Sequence, residues 1–142
     1  MNEPDRTLSF IQNLRHTKGP WGGKRFVLDD WENKIIRDIF GNLDSDGKRI
    51  VRTAYVESPK KCGKSTLAAA VSLKMLAADD EPGAEIYSAA ADKDQASVVF
   101  DQAAQMVYNN PVLSKRLKIL DTKKRILRLT NMESRTARFI RR

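Results

Sequence analysis

Nine consecutive residues, Ser58-Pro59-Lys60-Lys61-Cys62-Gly63-Lys64-Ser65-Thr66, hold the most evident chemistry in the chain. A glycine, a lysine and two hydroxyl residues in this order suit the binding of phosphate. Gly63 lets the backbone come close to phosphate oxygens. Lys64 can reach β- and γ-phosphates as a point charge, and the Ser65 hydroxyl can ligate Mg²⁺. The general pattern G-x-x-x-x-G-K-[ST] has a glycine where this chain has Ser58. The short form Gly-Lys-Ser also fits a plain strand-to-helix turn with a stray lysine, so the flanks must separate the two readings.

Before the loop runs Ile50-Val51-Arg52-Thr53-Ala54-Tyr55-Val56, β-branched and aromatic as strands are. After it runs Leu67-Ala68-Ala69-Ala70-Val71-Ser72-Leu73-Lys74-Met75-Leu76, built of good helix formers. Strand, tight loop and helix in that order favour the phosphate reading. The first turn of a helix has unpaired N–H groups and a partial positive charge, and both attract phosphate. Ala77 to Gly83 ends that helix, and Ala84 to Ala90 reads as a second strand. A helix crossing between two such strands is a right-handed βαβ unit with parallel strands.

The remaining elements frame this core. Leu8, Ile11 and Leu14 recur at helical spacing over residues 5–15. Lys18 to Lys24 is a Gly/Pro-rich connector, short enough to be an ordered loop. Trp31, Ile35, Ile39 and Phe40 mark the apolar face of a helix that a carboxylate at Asp29 or Asp30 can cap and Gly41 can stop. Asp44 and Asp46 are spaced like the start of a calcium loop, but the other ligands are missing. Asp92 caps a helix that runs to about Tyr108 and is broken at Asn109-Asn110-Pro111, with a further short helical turn at Val112-Leu113. Ile119-Leu120 and Ile126-Leu127 read as a hairpin.

With 142 residues the chain is one ordinary domain. It has no long apolar run for a membrane span, and its polar start is unlike a signal peptide. A single cysteine, Cys62, excludes an internal disulfide and fits a reducing compartment; metal-ligand spacing of Cys and His is absent. Cys62 reads as a loop filler, and the lone His16 takes no role. The net charge of +8 sits mostly after Ser114, where eleven Lys and Arg oppose only Asp121 and Glu133. Nucleic acid is the natural partner for such a segment, and a solvated charged face is the plain alternative.

Taken together, Trp31-Glu32, the loop Ser58 to Thr66, and Ile86-Tyr87-Ser88-Ala89-Ala90-Ala91-Asp92-Lys93-Asp94-Gln95-Ala96 resemble the large terminase subunits of tailed phages. These are ATP-driven motors that package double-stranded DNA into a procapsid. The likeness covers roughly residues 20–125, and this family tolerates loss of the first loop glycine. It implies an α/β fold of the P-loop NTPase type, a three-layer parallel sheet with flanking helices, here incomplete. It implies ATP and Mg²⁺ as cofactors. Lys64 would hold the β- and γ-phosphates, Ser65 would ligate Mg²⁺, and Ser58 to Thr66 would cradle the phosphates. Lys60 stands where the family usually carries an arginine that senses or stabilises the γ-phosphate, and lysine keeps the charge without the planar fork. Trp31 and Glu32 match the adenine-contacting motif, usually aromatic-Gln.

The same likeness implies partners: double-stranded DNA, the portal protein and the small terminase subunit, with a homo-oligomeric ring in the full-length protein and no membrane. It places the protein in the cytoplasm of a bacterial host. After residue 125 there is no apolar strand ending in Asp-Glu, the pair that in this family holds Mg²⁺ and activates water. The nuclease carboxylates are also absent. The expectation is an N-terminal portion of the ATPase domain, cut short, that binds nucleotide and hydrolyses it poorly. Residues 1–49 would form the N-terminal helices and adenine side, 50–110 the core with the loop, and 111–142 a basic C-terminal part. Another P-loop ATPase of helicase or clamp-loader type, or a small basic DNA-binding protein with a non-hydrolysing nucleotide site, are the alternatives.

Overall fold

A computed structural model of the chain describes residues 1–79, 81–129 and 138–141, the last segment by its backbone. The order of elements is α1 (Glu3–Gln12), α2 (Asp30–Gly41), α3 (Lys64–Ala77), β1 (Glu85–Ser88), α4 (Lys93–Tyr108), α5 (Pro111–Arg116), β2 (Leu117–Leu120), β3 (Arg125–Arg128) and β4 (Arg138–Arg141). The architecture is α/β. Its helix ends follow side-chain chemistry. The Asn2 side chain accepts from Asp5 N–H, and Pro4 opens α1. The Asp92 carboxylate accepts from Gln95 N–H at 2.8 Å and starts α4. Asn110 accepts from Val112 and Leu113 N–H and starts α5.

The core lies among the helices. Ile11 of α1, Ile36 and Phe40 of α2, Leu73 and Leu76 of α3 and Phe100 and Met106 of α4 are fully buried, with Ile126 of β3 beneath them. The alanines of α3 have a purpose here: Ala69 and Ala70 are completely buried, so α4 can pack closely on α3. On α4, Ala96, Phe100, Ala103 and Val107 form the buried stripe that the sequence spacing marks.

The four strands form one sheet in the order β1-β4-β3-β2. The hairpin read at Ile119-Leu120 and Ile126-Leu127 is β2 and β3, antiparallel with Leu117 opposite Arg128. β4 continues antiparallel to β3, and β1 pairs with β4 in parallel, Glu85 opposite Arg138. The sheet is therefore mixed, because its adjacent strands are joined by a short reversal at residues 121–124 rather than by helical crossovers.

Two expectations need correction. The strand read at Ile50–Val56 forms no ladder among the described residues: the run is extended but unpaired, and Tyr55 is 86% exposed. Residues 50–56 carry strand-like side chains, yet a strand exists only when a neighbour supplies the backbone partners. For the same reason the βαβ unit across α3 is not closed; β1 takes β4 as its parallel neighbour instead. The expected Asp-Glu gap after residue 125 falls partly on residues 130–137 and 142, outside the described residues.

One ionic cluster joins elements distant in sequence. The Lys74 ammonium of α3 is 2% exposed. It donates to the Glu3 carboxylate on α1, and to Asp79 Oδ1 at 2.5 Å just past the end of α3. Asp79 also receives a two-pronged interaction from Arg49, with Nη1 at 3.0 Å from Oδ1. Arg49 and Lys74 both lie against the Phe40 ring, 5.2 and 4.7 Å from its centre. Burial alone would push the Asp79 carboxyl up, but hydrogen bonds from Arg49 and Lys74 outweigh it and hold the pKa below its ordinary value. Pairing with Asp79 raises the pKa of Arg49 in turn.

Asp79→Ala removes one partner of a buried pair and should cost about 3 kcal/mol, read by urea melts at pH 7. The pH profile has a definite sign. The folded pKa of Asp79 lies below its unfolded value of about 3.9, so its contribution is complete above about pH 5 and disappears as pH falls through the folded value. The variant should lose less stability than the wild type between pH 5 and pH 2. Parallel losses would show that the network is not what holds this corner.

Candidate phosphate-binding site

The loop between residues 58 and 63 closes on itself. Ser58 Oγ and Cys62 Sγ are 2.9 Å apart, and the Lys64 ammonium donates to the Ser58 carbonyl oxygen across the turn. Lys61 has φ of 65° and Gly63 has φ of 87°, both in the left-handed region. Gly63 is the N-cap of α3 and gives the helix no side-chain cap. The N–H groups of the first turn, from Lys64 through Thr66, therefore have no side-chain acceptor at the cap position and belong to the positive end of a 14-residue helix.

The cations surround this end. Lys60, Lys61 and Lys64 are exposed, as is Pro59 between them and Ser58. Ser58, Cys62, Ser65 and Thr66 are half-buried, so Ser65 is held in the first turn of the helix and still reachable. Cys62 acts here as a hydrogen-bonding filler of the loop wall, in keeping with its reading from sequence. Among the described residues no three His, Cys, Asp or Glu side chains gather into a metal site.

The N-terminus of α2 stands against the same loop. Asp29 and Glu32 form a capping box, in which Glu32 Oε2 accepts from Asp29 N–H at 2.9 Å. The other oxygen, Oε1, lies 3.8 Å from where a β-carbon on Gly63 would sit. Burial raises the Glu32 pKa, partly countered by the hydrogen bond from Asp29 N–H. Trp31, next to it, is half-buried and packs against the apolar core. The structure thus brings Glu32 up to the loop and gives Trp31 the anchoring contact expected of an amphipathic helix. The contact of Glu32 with the loop went unread in the sequence, although Asp29-x-x-Glu32 carries the capping signal openly.

The sequence and fold comparisons agree with this geometry. Residues 30–136 match the family model described as terminase large subunit, ATPase domain. The chain belongs to that family. It is also similar to the crystal structure of the HK97 bacteriophage large terminase, with a TM-score of 0.81 and 25% sequence identity over 99% of this chain. The chain spans 27% of that protein's length. No curated protein matches it in sequence. No helix among the described residues is long and apolar enough to cross a membrane.

Glu32→Ala removes the cap acceptor and should cost about 1 kcal/mol in thermal or urea unfolding. Glu32→Gln keeps an acceptor and removes a partly buried charge, so it should stay within about 0.5 kcal/mol of wild type. Equal losses in the two variants would mean that the charge, rather than the cap, is what α2 needs. Gly63→Ala has space for the added methyl group but not the backbone, and should lose about 1–2 kcal/mol through its left-handed φ alone.

Proposed function

We propose that the chain forms the ATP-binding part of a viral DNA-packaging motor, a terminase large subunit that in its full-length form couples ATP hydrolysis to movement of double-stranded DNA into procapsids. The observation that carries this reading is the uncapped N-terminus of α3 behind a closed loop that presents Lys60, Lys61 and Lys64. The phosphates of ATP would lie on the N–H groups from Gly63 to Thr66. Lys64 would leave the Ser58 carbonyl for the β- and γ-phosphates, and Lys60 would add charge on the γ side. Trp31 and Glu32 would form the adenine side, with the free Glu32 Oε1 as an acceptor for the exocyclic amine.

Mg²⁺ fits this donor set in one way. The Ser65 hydroxyl would supply one protein oxygen, and phosphate oxygens and water the rest, as this ion prefers. With it bound, the ion would neutralise charge between the β- and γ-phosphates. The residues of this chain bind and orient the nucleotide. No residue described here is positioned as a base for water, so the chain should bind ATP and turn it over slowly.

The wider assembly follows from the same reading: a homo-oligomeric ring acting in the host cytoplasm, with portal protein and small terminase subunit as partners. The rival reading, a small basic DNA-binding protein with a non-hydrolysing nucleotide site, predicts the same binding by this chain and differs in having no motor to complete.

Lys64→Ala should abolish binding of Mg-ATP by the 142-residue chain, measured by calorimetry or a fluorescent nucleotide, with unfolding unchanged within about 0.5 kcal/mol. Ser65→Ala should weaken binding in Mg²⁺ and leave Mg²⁺-free binding intact. Undiminished ATP affinity in Lys64→Ala would sink the site assignment.

A further inference from the structure

The connector between α1 and α2 is a built element. His16 and Lys24 are paired by backbone, with His16 N–H donating to Lys24 O at 2.9 Å, and Gly23 N–H donating to His16 O at 2.8 Å. Arg15 and Arg25 form an antiparallel bridge below them. Arg15 Nη1 also donates to the Gly23 carbonyl at 2.7 Å. The base is anchored in the core: Leu14 and Phe26 are buried, and the His16 ring stacks on Phe26 at 4.4 Å. At the tip, Gly19-Pro20-Trp21 makes a helical turn, and Gly23 takes a left-handed φ of 77° that reverses the chain.

The surface of this hairpin has one sign. Arg15, Lys18, Lys24 and Arg25 are exposed, and residues 13–28 contain no Asp or Glu. Among the described residues none of the four pairs with a carboxylate. Trp21 is 61% exposed at the tip, with Lys24 Nζ 5.0 Å from its ring centre. A large aromatic ring in water has no reason to stay out of the core, which lies one turn away, unless it serves a contact. The basic C-terminal part is less free: Lys124 pairs with Asp101 at 3.1 Å, and Arg128 donates to the Glu81 carbonyl.

We propose that the hairpin of residues 15–25 is a nucleic-acid contact, in which Arg15, Lys18, Lys24 and Arg25 take backbone phosphates and the Trp21 ring stacks on an unpaired base of a DNA end or single-stranded stretch. The chemistry matches part for part. Cations release counterions from the phosphate chain, and an exposed aromatic face is the usual platform for a base that is not already stacked in a duplex. Lys24 holds one face of the indole and leaves the other to the base. His16 adds no charge at neutral pH, since burial lowers its pKa; its part is to hold the hairpin on Phe26. The inference rests on the reading of the whole protein as a DNA motor only for the choice of polymer, and it is independent of the nucleotide site.

The test measures binding of fluorescein-labelled single-stranded and duplex oligonucleotides to the full chain by anisotropy across a salt series, alongside ATP binding. The wild type should prefer the single strand. Trp21→Ala should weaken single-strand binding about 5- to 100-fold with the salt slope unchanged. The double variant Lys18→Ala, Lys24→Ala should lower the single-strand salt slope by about 1.4. Equal affinity in all three proteins would overturn the assignment. So would binding of polyglutamate that matches the oligonucleotide, since it would show a non-specific basic surface. Loss of DNA binding with ATP binding intact separates failure of this proposal from failure of the nucleotide site; the reverse result condemns the nucleotide site and supports the hairpin.

Discussion

A buried ammonium group sets the framework of this molecule. Lys74 lies almost wholly out of water, a location that would be costly for an unpaired charge. It is tolerable because Glu3, Asp79 and the face of Phe40 surround it. Those partners come from α1, from the segment after α3, and from α2. The cluster therefore ties three helices at one point, and Arg49 joins the loop after α2 to the same point. The apolar core could tolerate several arrangements of the helices; the charges accept few, because each must face its partner.

The phosphate loop depends on that framework from the opposite end of α3. Its conformation is costly in itself, with two residues in the left-handed region and a helix opened without a side-chain cap. It is held by contacts on either side: Ser58 with Cys62 within the loop, and Glu32 of α2 against Gly63. Since α2 also carries Phe40 to the ionic cluster, one helix touches α3 at both ends. The site is thus a product of helix packing, and the loop sequence alone would not keep its shape.

What the sequence made legible was local. The α2 cap at Asp29, the α4 cap at Asp92, the break at Asn109-Asn110-Pro111 and the β2–β3 hairpin all rest on neighbouring residues, and all are present. The loop too was legible, because glycine, lysine and serine at fixed spacing have few other uses. The failures were non-local. Residues 50–56 have the side chains of a strand, but pairing depends on a neighbour that no local pattern reveals. Lys74 looked like one more polar residue on an alanine helix, and its partner Glu3 stands 71 residues away. The hairpin around Trp21 was read as a connector because glycine and proline mark turns; that it had no acidic residue was visible, but that its tryptophan stayed in water was not.

The two anchored ends of α3 have a mechanical meaning. A helix of 14 residues is about 21 Å long, and its hydrogen-bonded backbone resists both stretching and bending. Clamped at Gly63 by the Glu32 contact and at its far end by Lys74 and Asp79, it behaves as a strut with two fixed joints. Any displacement imposed at the loop must be taken up by tilting the whole strut, so it arrives as a shift of the charged joint against α1 and α2 rather than fading along the way.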